Sequence, residues 1–159
     1  LILLCISTLV TRAQEPAGGC ALLLVAEIQA LAGSDKVGPG KGTVDELGSR
    51  ICEYTWGTGG NVQGGRSFLN VIATPLAKAF PGTNASVLAK GLLANAGKPN
   101  TEAIPGVGDA ALYESNDPIR VKTTAVAKGT LLIISFESAT ARAKKDQVTA
   151  LLKAAVGRL

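Results

Sequence analysis

The sequence predicts a single α+β domain, a mainly antiparallel five-stranded sheet packed with three helices in the order α-β-β-α-β-β-β-α. Three observations carry this. Strand-like runs come in clusters joined by turn chemistry, helix-like runs stand between and after those clusters, and one apolar stripe at helical spacing closes the chain. The 159 residues suit one core, and the positive mean hydropathy reflects Ala, Val, Leu and Ile spread through it.

Ala21 to Ala32 (ALLLVAEIQALA) consists of helix formers and stops at Gly33, a residue suited to the left-handed conformation that ends helices. Residues 33–50 mix glycine, proline and charge without period and read as an exposed connection. The GPGKGT within it fails as a phosphate-binding loop, because Asp35 stands where the first glycine belongs and Gly42 follows Lys41. Ile51 to Trp56 alternates Cys52, Tyr54 and Trp56 with Ile51, Glu53 and Thr55, as a strand does. Five glycines in Gly57 to Arg66 then form a flexible tip before a second strand, Ser67 to Thr74.

Pro75 suits a first helical turn, Leu76 to Phe80 reads as a short turn, and Ala85 to Ala96 as the longer helix it leads into, ended by Gly97 and Pro99. Asn84-Ala85-Ser86 matches a glycosylation acceptor. Three strands follow: Ala110 to Ser115, Ile119 to Ala127 and Thr130 to Glu137, joined by Asn116-Asp117-Pro118 and Lys128-Gly129. Leu131 to Ile134 is apolar at every position, which predicts a central strand covered on both faces. Thr140 to Leu159 carries Val148, Leu151, Leu152, Ala155, Val156 and Leu159 as one helical stripe facing the sheet.

The chain opens on LILLCISTLV, an apolar run too short to span a bilayer, followed by Thr11, Arg12 and Ala13. Residues 1–13 therefore read as a signal peptide truncated at its start, 14–19 as a linker and 20–159 as the domain; an uncleaved anchor is the alternative for the same run. The expected location is exported, periplasmic or extracellular. Neither cysteine fits lipidation well: Cys5 follows bulky Leu4, and Arg12, Gln14, Glu15 and Pro16 separate Cys20 from the apolar stretch. Cleavage after Ala13 removes Cys5 and leaves Cys20 and Cys52 to pair in an oxidising compartment, fastening the first helix to the sheet.

The net charge of +4 drops to +3 once Arg12 leaves with the leader, and aromatic content is 4%, so nucleic acid is not an expected partner. With no histidine, a Ser-His-Asp triad, a Cys-His pair and histidine-bearing metal sites are excluded. Among the carboxylates, Glu27, Asp45, Glu46 and Asp109 show no glycosidase-like or metal-loop spacing. No catalytic residue, metal or cofactor is expected.

The candidate binding surface comprises Trp56, Arg66, Asp109, Arg142, Lys144 and Lys145. Trp56 ends a strand beside the glycine-rich tip, where Arg66 also lies, and Asp109 follows a glycine-rich turn. Arg142, Lys144 and Lys145 crowd the start of the last helix, where positive charge opposes the macrodipole. A solvated face, a core tryptophan and a turn-capping aspartate are the bland readings of the same residues.

Cys20-Ala21-Leu22-Leu23 with Glu27 and Gly33, then Cys52-Glu53-Tyr54, then Pro105-Gly106-Val107-Gly108-Asp109-Ala110-Ala111, resembles the uncharacterised secreted and lipoprotein domains of bacteria. Those domains are similar in outline to the Mog1/PsbP-like α/β/α sandwich. The resemblance implies a fold, a disulfide and a bacterial envelope setting, and it carries no catalytic residues; the cysteine here departs from the lipoprotein pattern. The resulting expectation is an exported, non-catalytic envelope domain that binds a partner or small ligand through loops at one end of the sheet. Membrane contact is expected only through an uncleaved leader or a lipid. A histidine-independent hydrolase and a structural envelope component are the alternatives.

Overall fold

The computed structural model describes residues 18–159; the expected signal peptide, Cys5 and residues 14–17 of the expected linker lie outside the described residues. The fold is α+β with an antiparallel sheet, but the described residues form seven strands and four α-helices, which corrects the expected five strands, three helices and order. After a 3-10 turn at Gly18–Leu22, the elements run α1 (Val25–Ala32), β1 (Lys41–Val44), β2 (Arg50–Gly57), β3 (Arg66–Pro75), α2 (Leu76–Ala79) and α3 (Ala85–Leu93). They continue β4 (Thr101–Ala103), β5 (Ala110–Asp117), β6 (Arg120–Ala127), β7 (Thr130–Glu137), a second 3-10 turn at Ala141–Lys144, and α4 (Lys145–Arg158). The order across the sheet is β1-β2-β3-β7-β6-β5-β4, two meanders joined at β3 and β7.

The two strands absent from the sequence reading are its edges. β1 has four residues, all exposed or half-exposed, and β4 has three, so neither shows the alternation that one buried face imposes. β1 nevertheless pairs residue for residue with β2, from Lys41 opposite Glu53 to Val44 opposite Arg50. Gly40 precedes it because the backbone passes directly over the disulfide. A Cβ there would stand 2.3 Å from Cys52 Sγ and 2.8 Å from the Tyr54 ring.

One face of the sheet carries the main core. Cys52 and Tyr54 of β2, Leu69 and Val71 of β3, Leu132, Ile134 and Phe136 of β7, and Val121 and Ala125 of β6 point to it. α1 contributes Ile28 and Leu31, and α4 contributes Val148, Leu151, Leu152 and Ala155, which is the apolar stripe read from the sequence. α1 starts at Val25 rather than at Ala21, a correction to the expected helix start, and Cys20 lies on the 3-10 turn before it. The Cys20–Cys52 disulfide, with Cα atoms 4.9 Å apart, ties that turn to the centre of β2.

α1 and α4 are joined directly. Both Glu27 carboxylate oxygens accept from Arg158, at 2.7 and 2.8 Å, and Arg158 also donates to the Leu22 carbonyl at 2.9 Å. Glu27 accepts from the Leu24 amide as well, supplying one of the partners that the first turn of a helix lacks. The hydrogen bonds from Arg158 hold the Glu27 carboxyl below the usual carboxylate range, against an opposing push from burial.

The opposite face is covered unevenly. α3 lays Leu88, Ala89 and Leu92 over Ala110 of β5, Val126 of β6 and Leu131 of β7. Ile51, Ile72 and Ile133 form a cross-strand row on β2, β3 and β7 beyond it and stay half-exposed. The apolar run Leu131 to Ile134 therefore alternates, Leu132 and Ile134 fully buried, Leu131 and Ile133 half-buried. The expected burial on both faces is corrected: α3 stops short of closing this side.

Candidate functional site

The uneven cover leaves a groove of about 540 Å³ between α3 and the sheet, within the size range of small-molecule sites. α3 supplies its roof through Val87, Leu88, Gly91 and Leu92, and the floor is Leu112, Thr124, Val126, Leu131 and Ile133. Asn84 holds the helix start in place. Its side-chain oxygen accepts from the Val87 amide at 2.9 Å and from the Ser86 hydroxyl at 2.8 Å, so the glycosylation-acceptor tripeptide acts here as a helix cap. At Gly91 the roof is open, since a Cβ at that position would meet nothing within 4 Å.

The groove ends at a charged row. Glu114 of β5 faces Lys122 of β6 in the ladder, and their side chains pair at 2.8 Å. Both residues also wall a second cavity of about 210 Å³, lined by Asn116, Asp117 and Arg120. Arg120 pairs across the sheet with Glu137 at 2.8 Å, and Asp117 accepts from the Ile119 amide at 2.9 Å, closing the β5–β6 turn. An apolar cavity and a charged one thus share a wall.

A third cavity, about 370 Å³, lies over the disulfide between Leu23, Leu24, Val25, Pro39 and Tyr54. Burial, and secondarily the charge of Glu27, raises the Tyr54 phenol above its ordinary value, so it serves there as a neutral wall.

The six residues of the expected binding surface are not brought together. Trp56 faces the main core, half-buried, and stacks on Phe136 with ring centroids 5.8 Å apart and planes 11° from parallel. Arg66 stands on the opposite face, its guanidinium 5.9 Å from the Phe68 ring centre. Asp109 is exposed at the other end of the sheet; its amide donates to the Val126 carbonyl at 2.7 Å, so the backbone rather than the side chain holds that turn.

Arg142 is spent on the Ser115 carbonyl at 2.9 Å, and Lys145 pairs with Glu102 while lying 5.3 Å from the Tyr113 ring centre. The Glu102 hydrogen bond raises the Lys145 ammonium above its ordinary value. Lys144 ends the 3-10 turn beside them. The glycine-rich tip is a closed turn, in which Asn61 receives the amides of Gly64 and Arg66. Gly57 and Gly59 take positive φ there, and their opposing carbonyls leave no room for a Cβ.

Of the four carboxylates weighed in the sequence, Glu27 is held by Arg158 and Asp45 by the amide of Ser49 at 2.8 Å, which lowers the Asp45 carboxyl. Asp45 and Asp109 stand beside β2 and β5, four strands apart in the sheet. No group of three or more metal-ligating side chains occurs among the described residues.

The groove residues were not singled out in the sequence. Val87, Leu88, Gly91 and Leu92 recur at helical spacing and Leu131 and Ile133 at strand spacing, yet only the fold shows that the two sets face each other across open space. The disulfide fits an oxidising compartment, and no helix among the described residues is long and apolar enough to cross a membrane. Comparisons with protein-family models, with curated proteins and with solved structures find no match to this chain.

Proposed function

We propose that this chain is an exported, non-catalytic binding domain of the bacterial envelope, periplasmic or extracellular, that holds an apolar small ligand in the groove beneath α3. One observation carries the reading. Leu131 and Ile133 on the central strand and Val87 on the helix, 56% exposed, face a groove that no side chain among the described residues fills. Leaving such surface in water is unfavourable by roughly 25 cal/mol per Å², and a ligand that covers it recovers that energy. The resemblance to secreted bacterial domains of Mog1/PsbP-like outline and the disulfide support the envelope setting. The binding element is thus a helix–sheet groove instead of the loops expected from the sequence.

The test uses the neutral fluorophore N-phenyl-1-naphthylamine with the wild type and Gly91→Phe. The new ring enters the groove from the roof, and replacing a helical glycine favours the helix by about 0.5 kcal/mol or more, so the variant stays folded. Saturable fluorescence enhancement by the wild type, lost in Gly91→Phe at an unchanged or raised unfolding midpoint, is the expected result. Equal enhancement by both proteins, or none by either, overturns the reading.

A further inference from the structure

Two cavities that share Glu114 and Lys122 differ in character: one is walled by Leu88, Leu92, Leu131 and Ile133, the other by charges of both signs. We infer that the ligand is a single-chain amphiphile with a zwitterionic head, its chain in the groove and its head in the charged cavity beyond the Glu114–Lys122 pair. This rests on the groove reading and adds to it the chemistry of the head.

The register gives the length. From Leu131 to Ser135, which lies in the Lys122 row, β7 advances four residues, or roughly 13 Å at strand rise. That is a path for a medium-length alkyl chain. At its end the strand pairing sets Lys122 between Glu114 on β5 and Ser135 on β7, and Arg120 between Asp117 on β5 and Glu137 on β7.

The sign pattern selects the head. The charged cavity is lined by two carboxylates, Glu114 and Asp117, and two cations, Lys122 and Arg120. Both cations already have a carboxylate partner, Lys122 with Glu114 and Arg120 with Glu137, whereas Asp117 joins no ion pair among the described residues. A purely anionic head would displace Glu114 or Glu137 and leave that carboxylate without a partner, and a purely cationic one would answer Asp117 alone while Lys122 and Arg120 keep the other two carboxylates. A head bearing both signs sets its cation against Asp117 and Glu114 and its anion against Arg120 and Lys122. These pairs are 24% to 52% exposed, so a ligand can exchange into them without opening the core.

The experiment measures dissociation constants by titration calorimetry, below the micelle concentration, for dodecylphosphocholine, dodecanoate and dodecyltrimethylammonium. N-phenyl-1-naphthylamine is run alongside as a probe of the groove alone. The wild type should bind the zwitterion at least about tenfold tighter than either singly charged chain. An Asp117→Asn/Arg120→Gln variant, checked for an intact unfolding transition, should bring the three within about threefold of each other. Similar constants for all three in a wild type that takes up the naphthylamine refute the head assignment and leave the groove standing. Discrimination that survives in the double variant refutes the place of the head. Failure of every probe, the naphthylamine included, removes the groove reading itself.

Discussion

Removing the disulfide tests whether the N-terminal segment is held to the sheet mainly by covalent closure. Cys20 and Cys52 are 32 residues apart in sequence, 5% and 0% exposed, and sit against Gly40, Tyr54 and Leu23. Chain-entropy reasoning for a closed loop of this length gives about 3.7 kcal/mol of destabilisation of the unfolded state. Substituting both cysteines by alanine also removes two buried sulfur atoms from the core. We therefore expect Cys20→Ala/Cys52→Ala to lose about 4 kcal/mol, a drop of roughly 12 °C in unfolding midpoint for a domain of this size. Urea unfolding of the wild type, the reduced wild type and the double variant separates the two contributions, because reduction opens the loop and leaves the sulfur atoms in place. The reduced wild type should show most of the loss. A reduced protein within about 1 kcal/mol of the oxidised one would refute the reasoning and make packing by Leu22, Leu23 and α1 the dominant tether.

Glu27 and Arg158 give a pH prediction. The folded carboxyl titrates below its ordinary value of 4.5, so its contribution to stability is fully present above that pH and is lost as pH falls through the lower folded value. Urea midpoints of the wild type should fall more steeply below pH 4.5 than those of Arg158→Gln; parallel curves would contradict the clasp. Gly40→Ala drives a methyl into Cys52 Sγ and the Tyr54 ring and should cost about 1 to 3 kcal/mol by chemical denaturation, an effect whose absence would mean that β1 shifts freely at the edge. Thr123 buries under the main core a hydroxyl with no hydrogen-bond partner among the described residues, so Thr123→Val should raise the urea midpoint by about 1 kcal/mol equivalent; a lower midpoint would show that the hydroxyl is satisfied in solution.

Strands with one buried face were legible in the sequence, and strands without one were not. β2, β3, β5, β6 and β7 announce themselves by alternation or by apolar runs bounded with turn residues such as Lys128-Gly129, which takes positive φ at both positions. β1 and β4 exist only because a neighbour offers unpaired backbone groups, a property of the partner strand that short segments such as Lys41–Val44 cannot encode alone. The Cys20–Cys52 bond was legible from compartment logic and cysteine count, whereas the 3-10 start before Val25 was not, because Ala21 to Ala32 has uniform helix propensity.

The groove was hidden for a further reason. An apolar run such as Leu131 to Ile134 states that both faces avoid polar side chains, and that holds equally for a covered strand and for the floor of a cleft. What separates the two is how far α3, some forty residues earlier in the chain, extends across the sheet. For Trp56 and the basic residues at the start of α4 the sequence could not show the partners: Phe136, Ser115 and Glu102 engage Trp56, Arg142 and Lys145, and these contacts come from strands distant in the chain.

The central claim is that an apolar ligand lies between α3 and β7. Intermolecular nuclear Overhauser contacts from bound N-phenyl-1-naphthylamine to the methyl groups of Leu88, Leu92, Leu131 and Ile133 measure it directly. The account predicts contacts to those four residues and none to Leu23, Leu24 or Val25. Contacts confined to those last three would place the ligand over the disulfide instead and contradict it.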